Sequence, residues 1–260
     1  PSGAVNDVAR AYRLAPDDAD VLLAAAEVAQ ERRWLDAARR HLQRGCELHA
    51  RDLRMYQALA WLELWANRPQ DALACLQAGL KAIDAPQEQA ALRWTLAEVL
   101  IQQDKPAEAE AVIAALRKSE YAPANIDYLH ARLLVRGKRW GEAARALERI
   151  RSRSEISPQV SKQADLLLAQ CYEQLDEPDR QLDACNRVLA QDPFVTAARF
   201  AKASALSRMG RIDEALLESE QLVKLPDAPA GAALLRARLQ VLKARRAPLG
   251  ERDWKAVDQA

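Results

Sequence analysis

The chain has 260 residues, of which 38 are basic and 37 acidic, so its formal charge is only +1, and half of its residues are hydrophobic. Charges of both signs are mixed along the sequence, which disfavours binding to nucleic acid or to an anionic membrane surface. No apolar run reaches the roughly 18 to 20 residues that a membrane-spanning helix needs. The composition therefore predicts a soluble protein without nucleic-acid binding or membrane insertion.

The predicted elements are helices from one end of the chain to the other. Alanine and leucine dominate, there are only 8 glycines and 12 prolines, and β-branched runs are few. Such a composition favours helix, and no segment has the alternation that is typical of a strand. The sequence therefore predicts an all-α protein.

A nine-residue phrase recurs along these helices. It occurs as "RPQDALACL" from residue 68, "KPAEAEAVI" from residue 105, "RWGEAARAL" from residue 139, "EPDRQLDAC" from residue 177 and "RIDEALLES" from residue 211. A first series of small residues sets the register, with separations of 34, 37, 34, 38 and 34 residues: Ala26, Ala60, Ala97, Ala131, Ala169 and Ala203. A second series falls twelve residues later in each unit: Ala38, Ala72, Ala109, Ala143, Gln181 and Ala215.

Each unit is predicted to be two amphipathic helices joined by a short polar turn. Large apolar residues accompany the first series on one helical face, as Tyr56 and Leu59 accompany Ala60. Alanine suits both series because helices that cross at about 8 to 10 Å leave no room for a larger side chain at the closest point. In the first unit "RWLDAARRH" also allows Ala37 in place of Ala38, and we choose Ala38 because it preserves Leu42.

In chain order, the register predicts one array over residues 1–260. It consists of a partial repeat 1–18, repeats 19–52, 53–86, 90–123 and 124–153, a linker 154–161, repeats 162–195 and 196–229, and a partial repeat 230–260. Extra residues at "QEQ" after Pro86 predict a longer helix end or a loop. Because terminal repeats usually carry a polar capping face, we expect the chain to be a segment of a longer protein.

A 34-residue unit of helix, turn and helix resembles the tetratricopeptide repeat, whose pattern is W-x2-L-G-x2-Y, then A-x3-F, then P. The resemblance covers nearly the whole chain and implies a right-handed α-solenoid, with a longer bacterial-type protein as the expected source. The sequence departs from the family at the tryptophan position, which holds Leu22, Tyr56, Arg93, Asp127, Asp165 and Arg199. Glu63 stands where the family has tyrosine, and Lys202 where it has leucine.

The helix 53–65 carries apolar residues on two faces. Tyr56, Ala60 and Glu63 mark its inward face, and at about 100° per residue Trp61 and Trp65 project opposite to it. The resemblance implies that this opposite face lines a concave groove in which peptides bind. Paired tryptophans that face away from a core commonly anchor partners, and packing between repeats is the other interpretation of Trp61 and Trp65.

Further candidate binding residues follow along the same predicted surface. Arg132 and Arg136 occupy the groove positions of a later unit, and Trp94 and Tyr128 lie on a strip that flanks the groove. The aromatic strip has two interpretations, ligand contact or packing between first helices, and both stay open. Trp34 and Trp140, at the turns between helices, are predicted to be packing residues, and Trp254 belongs to the C-terminal partial repeat.

No catalytic or metal-binding constellation is found. His41, His49 and His130 lie far apart in the register, and the sequence contains no HExxH, CxxC, GxGxxG or P-loop motif. The four cysteines are scattered on helical segments, which predicts free thiols in a reducing compartment. We therefore expect no enzymatic activity, no cofactor and no metal.

What remains is a non-enzymatic scaffold that binds a peptide or protein segment in the concave groove. The alternative is a structural module through which a larger protein self-associates or oligomerises. The heat-shock chaperone clamp of some family members is disfavoured, because the corresponding places hold Leu23, Glu27, Gln57 and Trp61. A cytoplasmic location is expected, with a soluble domain of an exported or membrane-anchored protein as the other interpretation.

Overall fold

The computed structural model describes residues 2–119, 121–152 and 157–246, and within these residues all regular structure is α-helical. The helices in chain order are α1 (Ser2–Leu14), α2 (Ala19–Glu31), α3 (Leu35–Leu48), α4 (Leu53–Trp65), α5 (Pro69–Ala82), α6 (Pro86–Gln102), α7 (Pro106–Arg117), α8 (Pro123–Arg136), α9 (Trp140–Arg151), α10 (Pro158–Gln174), α11 (Pro178–Gln191), α12 (Thr196–Arg208), α13 (Ile212–Val223) and α14 (Gly231–Arg246). The prediction of an all-α helical-repeat solenoid is confirmed.

Contacts within the chain define two compact units, Pro1–Leu129 and His130–Ala260. In the first unit each helix from α1 to α7 packs against the next, and α2, α4 and α6 pack in succession. In the second unit each helix from α9 to α14 packs against the next, and α10, α12 and α14 pack in succession. The sequence predicted a single array, and the single array stays a prediction.

The turn inside each helical hairpin has one recurring geometry. Among the described residues, six have positive φ angles between 57° and 78°, and their spacing is that of the alanine series: Arg33, Asn67, Asp104, Lys138, Asp176 and Gly210. The N–H of the following residue donates a hydrogen bond to a carbonyl in the last turn of the first helix. The N–H of Arg68, for example, donates to the carbonyl oxygen of Glu63 at 2.7 Å. This left-handed C-terminal cap satisfies carbonyls that the helix end leaves unpaired.

Buried small residues follow the predicted register. Every member of both series is buried, including Gln181. Ala38 is fully buried while Ala37 is only partly so, which confirms the choice of Ala38 in the first unit. The alanines thus occupy the closest contacts between helices, as helix-packing distances require.

Helix starts follow from local sequence signals. Six of the described helices begin with proline, whose missing N–H costs nothing there, namely α5, α6, α7, α8, α10 and α11. Asp18, Asp52 and Ser157 cap α2, α4 and α10 through side-chain oxygens.

Two predicted connections can be compared with the structure. The "QEQ" insertion lies inside α6, which begins at Pro86, ahead of the predicted repeat start, so it forms the longer helix end that was one of the two expectations. The predicted linker 154–161 ends sooner, because Ser157 caps α10 and residues 158–161 are already helical. Arg153, which ends the predicted repeat 124–153, and residues 154–156 of the linker lie outside the described residues, as do Trp254 and the rest of the partial repeat beyond Arg246.

Across the part of the chain that the structure describes, no helix combines the length and the apolar character needed to cross a bilayer. Cys46, Cys75, Cys171 and Cys185 all carry free thiols. Burial raises the pKa of the Cys171 thiol to about 11 and that of Cys185 to about 12, which makes both unreactive near neutral pH.

Candidate protein-interaction surfaces

The helix α4 buries one face and exposes the other. Tyr56, Ala60 and Glu63 are buried on the inward face. On the opposite face Trp61 is 46% exposed and Trp65 is 51% exposed, one helical turn apart. The two indole rings therefore offer an apolar surface to solvent in the first unit.

Glu63, on the buried face of the same helix, is only 3% exposed and is compensated by two arginines. Arg39 of α3 donates to both carboxylate oxygens, from Nε at 2.5 Å and from the second guanidinium nitrogen at 3.1 Å, and Arg68 Nε lies 3.6 Å away. The hydrogen bond with Glu63 raises the pKa of the Arg39 guanidinium. This cluster explains how the family's tyrosine position accepts a carboxylate, because a buried charge is tolerated when it is paired.

The flanking strip in the first unit is packed. The rings of Trp94 and Tyr128 stack with centroids 6.2 Å apart and planes at 15°, and Tyr121 approaches Trp94 from another side at 5.9 Å. Trp94 is half-buried and Tyr128 is only 4% exposed. Such stacked aromatic contacts stabilise helix packing, so Tyr128 offers little surface to a ligand and Trp94 offers one edge.

Arg132 is half-buried and Arg136 is exposed, and both lie on the part of α8 that belongs to the second unit. Trp61, Trp65, Trp94 and Tyr128 belong to the first unit. That these six residues form one binding surface stays a prediction.

The second unit has an apolar pocket that the sequence did not single out as a site. It encloses about 510 Å³, and its lining comes from α10, α12 and the start of α14, with Leu166, Phe200, Pro229 and Gly231 among the apolar residues. Gln170 and Glu173 supply its polar edge. Leu166 and Phe200 lie in the flanking strip of the repeat register, but only the packed helices show that they bound a cavity.

One tryptophan prediction is wrong. Trp34, expected to pack at the turn between α2 and α3, is 57% exposed, and the guanidinium carbon of Arg32 lies 5.1 Å from its ring centroid. The reason is its place as the residue before α3, where the other hairpins put a charged residue. Trp140 starts α9 itself and is half-buried.

Within the described ranges, no three histidine, cysteine, aspartate or glutamate side chains come together as a possible metal site. The surfaces that the structure does provide are apolar or mixed apolar and charged, which suits contact with a polypeptide.

Comparison with known proteins agrees with this architecture. Residues 128–196 match the sequence model of the tetratricopeptide repeat family. No curated protein gives a significant match to the chain.

Solved structures with low sequence identity share the fold. One is the APC/C hetero-tetramer Cut9-Hcn1, with 11% identity, a TM-score of 0.70, and coverage of 92% of this chain and 46% of that chain. A second is pilF of Pseudomonas aeruginosa, with 18% identity, a TM-score of 0.62, and coverage of 75% of this chain and 85% of that chain. A third is a tetratricopeptide repeat protein from Parabacteroides merdae, with 14% identity, a TM-score of 0.58, and coverage of 93% of this chain and 92% of that chain.

The repeat register, the recurring hairpin turn and the family match together define a helical-repeat scaffold. Over residues 128–196 the chain is similar to the tetratricopeptide repeat family, and its described residues share the helical-repeat fold of solved tetratricopeptide repeat structures. Proteins of this class generally act as scaffolds for protein–protein interaction and not as enzymes.

Proposed function

We propose that this chain is a non-enzymatic scaffold that binds a peptide or protein segment on the exposed face of α4, in the concave groove that the family resemblance implies. The observation that carries the proposal is the exposure of Trp61 and Trp65, at 46% and 51%, on a helix whose other face is fully used in packing. Tryptophan is among the residues most enriched at binding hot spots. Two such side chains left in water are hard to explain by stability alone.

The second unit, taken by itself, offers another candidate contact region for a partner. The pocket bounded by Leu166 and Phe200 is large enough for apolar side chains, and Glu173 at its edge favours a neighbouring basic group. Arg132 and Arg136 on α8 favour acidic side chains. We therefore expect a segment with apolar or aromatic side chains at the tryptophans of the first unit, and a segment with acidic side chains at the arginines of the second.

The test is the double variant Trp61→Ala/Trp65→Ala. Because both side chains are exposed, we expect the free energy of unfolding to change by less than about 1 kcal/mol. Loss of a hot-spot anchor weakens binding by about 2 kcal/mol or more, so proteins captured from a lysate of the source organism by the wild type should no longer be captured. Phe194→Ala is the matched control, since Phe194 is 74% exposed and lies outside α4.

Two outcomes count against the proposal: a strongly destabilised double variant, or an unchanged set of captured proteins. Sedimentation of the wild type and the double variant at several concentrations addresses the self-association alternative. If the wild type associates with itself and the variant is monomeric, the tryptophans serve an interface between copies. Charge reversal at Arg132 and Arg136 should mainly slow association, which stopped-flow binding to a captured partner would measure.

A further inference from the structure

The turn between α2 and α3 carries an exposed cluster of one tryptophan and several arginines. Trp34 has Arg32 stacked over its ring. Trp34 also borders a cavity of about 760 Å³, whose lining includes Arg33, Arg39, Arg40 and Arg68. Neither Trp61 nor Trp65 is among its lining residues, so this cavity is not part of the surface proposed above.

This turn breaks a pattern that the other five hairpins keep. The residue before each of their second helices is charged and pairs with an oppositely charged residue three positions later: Arg68 with Asp71, Lys105 with Glu108, Arg139 with Glu142, Glu177 with Arg180, and Arg211 with Glu214. In the first hairpin these two places hold Trp34 and Ala37, so the pair is lost. An exposed tryptophan in place of an ion pair adds apolar surface without packing, and such departures from local rules are expected at functional sites.

Two of the arginines that line the cavity, Arg39 and Arg68, are fixed by ion pairs with neighbouring carboxylates. The buried carboxylate of Glu63 binds Arg39 and lies near Arg68, while Asp36 and Asp71 bind the same two guanidinium groups at 2.6 Å and 2.7 Å. Fixed guanidinium groups lose less conformational freedom when they bind a ligand.

The cluster also has an excess of positive charge. The cluster contains five guanidinium groups, those of Arg32, Arg33, Arg39, Arg40 and Arg68. Its three carboxylates are those of Asp36, Glu63 and Asp71, so the excess is two positive charges in a chain whose total is +1. Among the described residues, Arg32, Arg33 and Arg40 form no ion pair. Their donors are therefore available to an incoming anionic group.

We propose that this cavity binds an acidic segment of a partner protein, in which carboxylate side chains flank an apolar side chain. The apolar side chain packs on Trp34, and the carboxylates accept hydrogen bonds from Arg33 and Arg40, since guanidinium groups match carboxylates in geometry. Asp36 and Asp71 would repel the continuous charge of a nucleic-acid backbone. Two discrete carboxylates can pair with Arg33 and Arg40 without placing further negative charge beside Asp36 and Asp71.

The experiment measures fluorescence anisotropy with the full chain in 0.15 M salt. The probe is a fluorescein-labelled 12-residue peptide with glutamates on both sides of two central leucines, and a peptide with lysines in place of the glutamates serves as the charge control. The key variant is Trp34→Arg/Ala37→Glu, which restores the ion pair of the other hairpins. We expect its melting temperature to equal or exceed that of the wild type and its affinity for the acidic peptide to fall at least tenfold. Arg40→Glu should weaken binding to a similar extent.

Two control variants separate the site from nonspecific attraction and from the α4 surface. Arg117→Glu changes the net charge by the same amount as Arg40→Glu, at an exposed residue of α7, and should alter the affinity less than twofold. Trp61→Ala/Trp65→Ala should also alter it less than twofold. The proposal is overturned if the wild type shows no saturable binding up to about 1 mM probe, if Arg117→Glu weakens binding as much as Arg40→Glu, or if Trp34→Arg/Ala37→Glu binds like the wild type. It is also overturned if a 12-nucleotide single-stranded RNA binds more tightly than the peptide and depends on Trp34, because the site would then serve nucleic acid.

Discussion

The repeats 53–86 and 162–195 fill the same interior space by different means. In the first, the ring of Tyr56 lies so close to Gly79 that a Cβ on the glycine would be 2.8 Å from the ring carbon Cγ. In the second, the same two register positions hold Asp165 and Val188. Asp165 is buried, and its Oδ1 accepts from Arg187 Nε at 2.8 Å and lies 3.0 Å from Arg151 Nε.

This difference belongs to a pattern shared by all six repeats. Where the first position is apolar the second is glycine, and where the first is charged the second is a large aliphatic residue. The pairs are Leu22 with Gly45, Tyr56 with Gly79, Arg93 with Leu116, Asp127 with Ile150, Asp165 with Val188, and Arg199 with Leu222. The comparison indicates that the two positions vary together, because glycine leaves room for a large apolar side chain and a charged side chain is accompanied by a large aliphatic one.

The largest expected effect is at Tyr56. Tyr56→Ala removes a buried ring and leaves a cavity beside Gly79, so we expect a loss of about 3 to 5 kcal/mol in the free energy of unfolding, measured by urea denaturation. Tyr56→Phe keeps the ring and loses only the hydrogen bond to the carbonyl of Ala50, which is 3.0 Å long, so its cost should be about 1 kcal/mol. A cost below about 1 kcal/mol for Tyr56→Ala would show that the ring does not fill this space.

An intermediate effect is expected at the facing glycine. Alanine favours helix more than glycine does, yet Gly79→Ala should destabilise the chain by about 1 to 3 kcal/mol, because the new Cβ meets the rings and branches of buried neighbours. Gly141→Ala in α9 is the matched control. A Cβ there would meet no atom within 4 Å, so this variant should be stabilised by about 0.5 to 1 kcal/mol. If both variants shift the free energy of unfolding in the same direction, the tight contact at Gly79 does not determine the effect of Gly79→Ala.

The smallest effect is expected at Asp165, and it depends on pH. Burial raises the pKa of this carboxyl, although the hydrogen bond and charge of Arg187 and the charge of Arg151 act in the opposite direction. Between the ordinary aspartate pKa and this raised value, the folded protein holds a proton that the unfolded chain has released. The contribution of Asp165 to stability therefore falls as pH rises through that window.

Asp165→Asn has no such proton, and its amide still accepts a hydrogen bond from Arg187. At pH 7 we expect its free energy of unfolding to lie within about 1 kcal/mol of the wild type, since both arginines reach solvent. As the pH is lowered to about 4, the wild type should gain stability relative to Asp165→Asn. Urea denaturation of both proteins at several pH values measures this difference, and a difference that changes in the opposite direction would mean that the arginines outweigh burial.

Much of the fold was predictable because its signals are local. The alanine series, the prolines at helix starts and the polar turns each act within a few residues of the chain, and the 34-residue register could be read without knowledge of any long-range contact. The left-handed turn residues were less visible. Only Gly210, Asn67 and the two aspartates belong to types that favour this conformation, whereas Arg33 and Lys138 adopt it because packed helices on both sides fix the turn.

The sequence by itself therefore determined the fold class, the register and the outward direction of Trp61 and Trp65, because helical periodicity sets which residues share a face. Only the tertiary structure decided which other aromatic residues reach solvent. Trp34, at the turn before α3, is exposed, whereas Tyr128 is buried because it stacks on Trp94, which lies on the preceding first helix. The same holds for the partners of Glu63 and Asp165. Their arginines come from other helices, and the packing of neighbouring helices, not the pattern within one helix, brings these charges together.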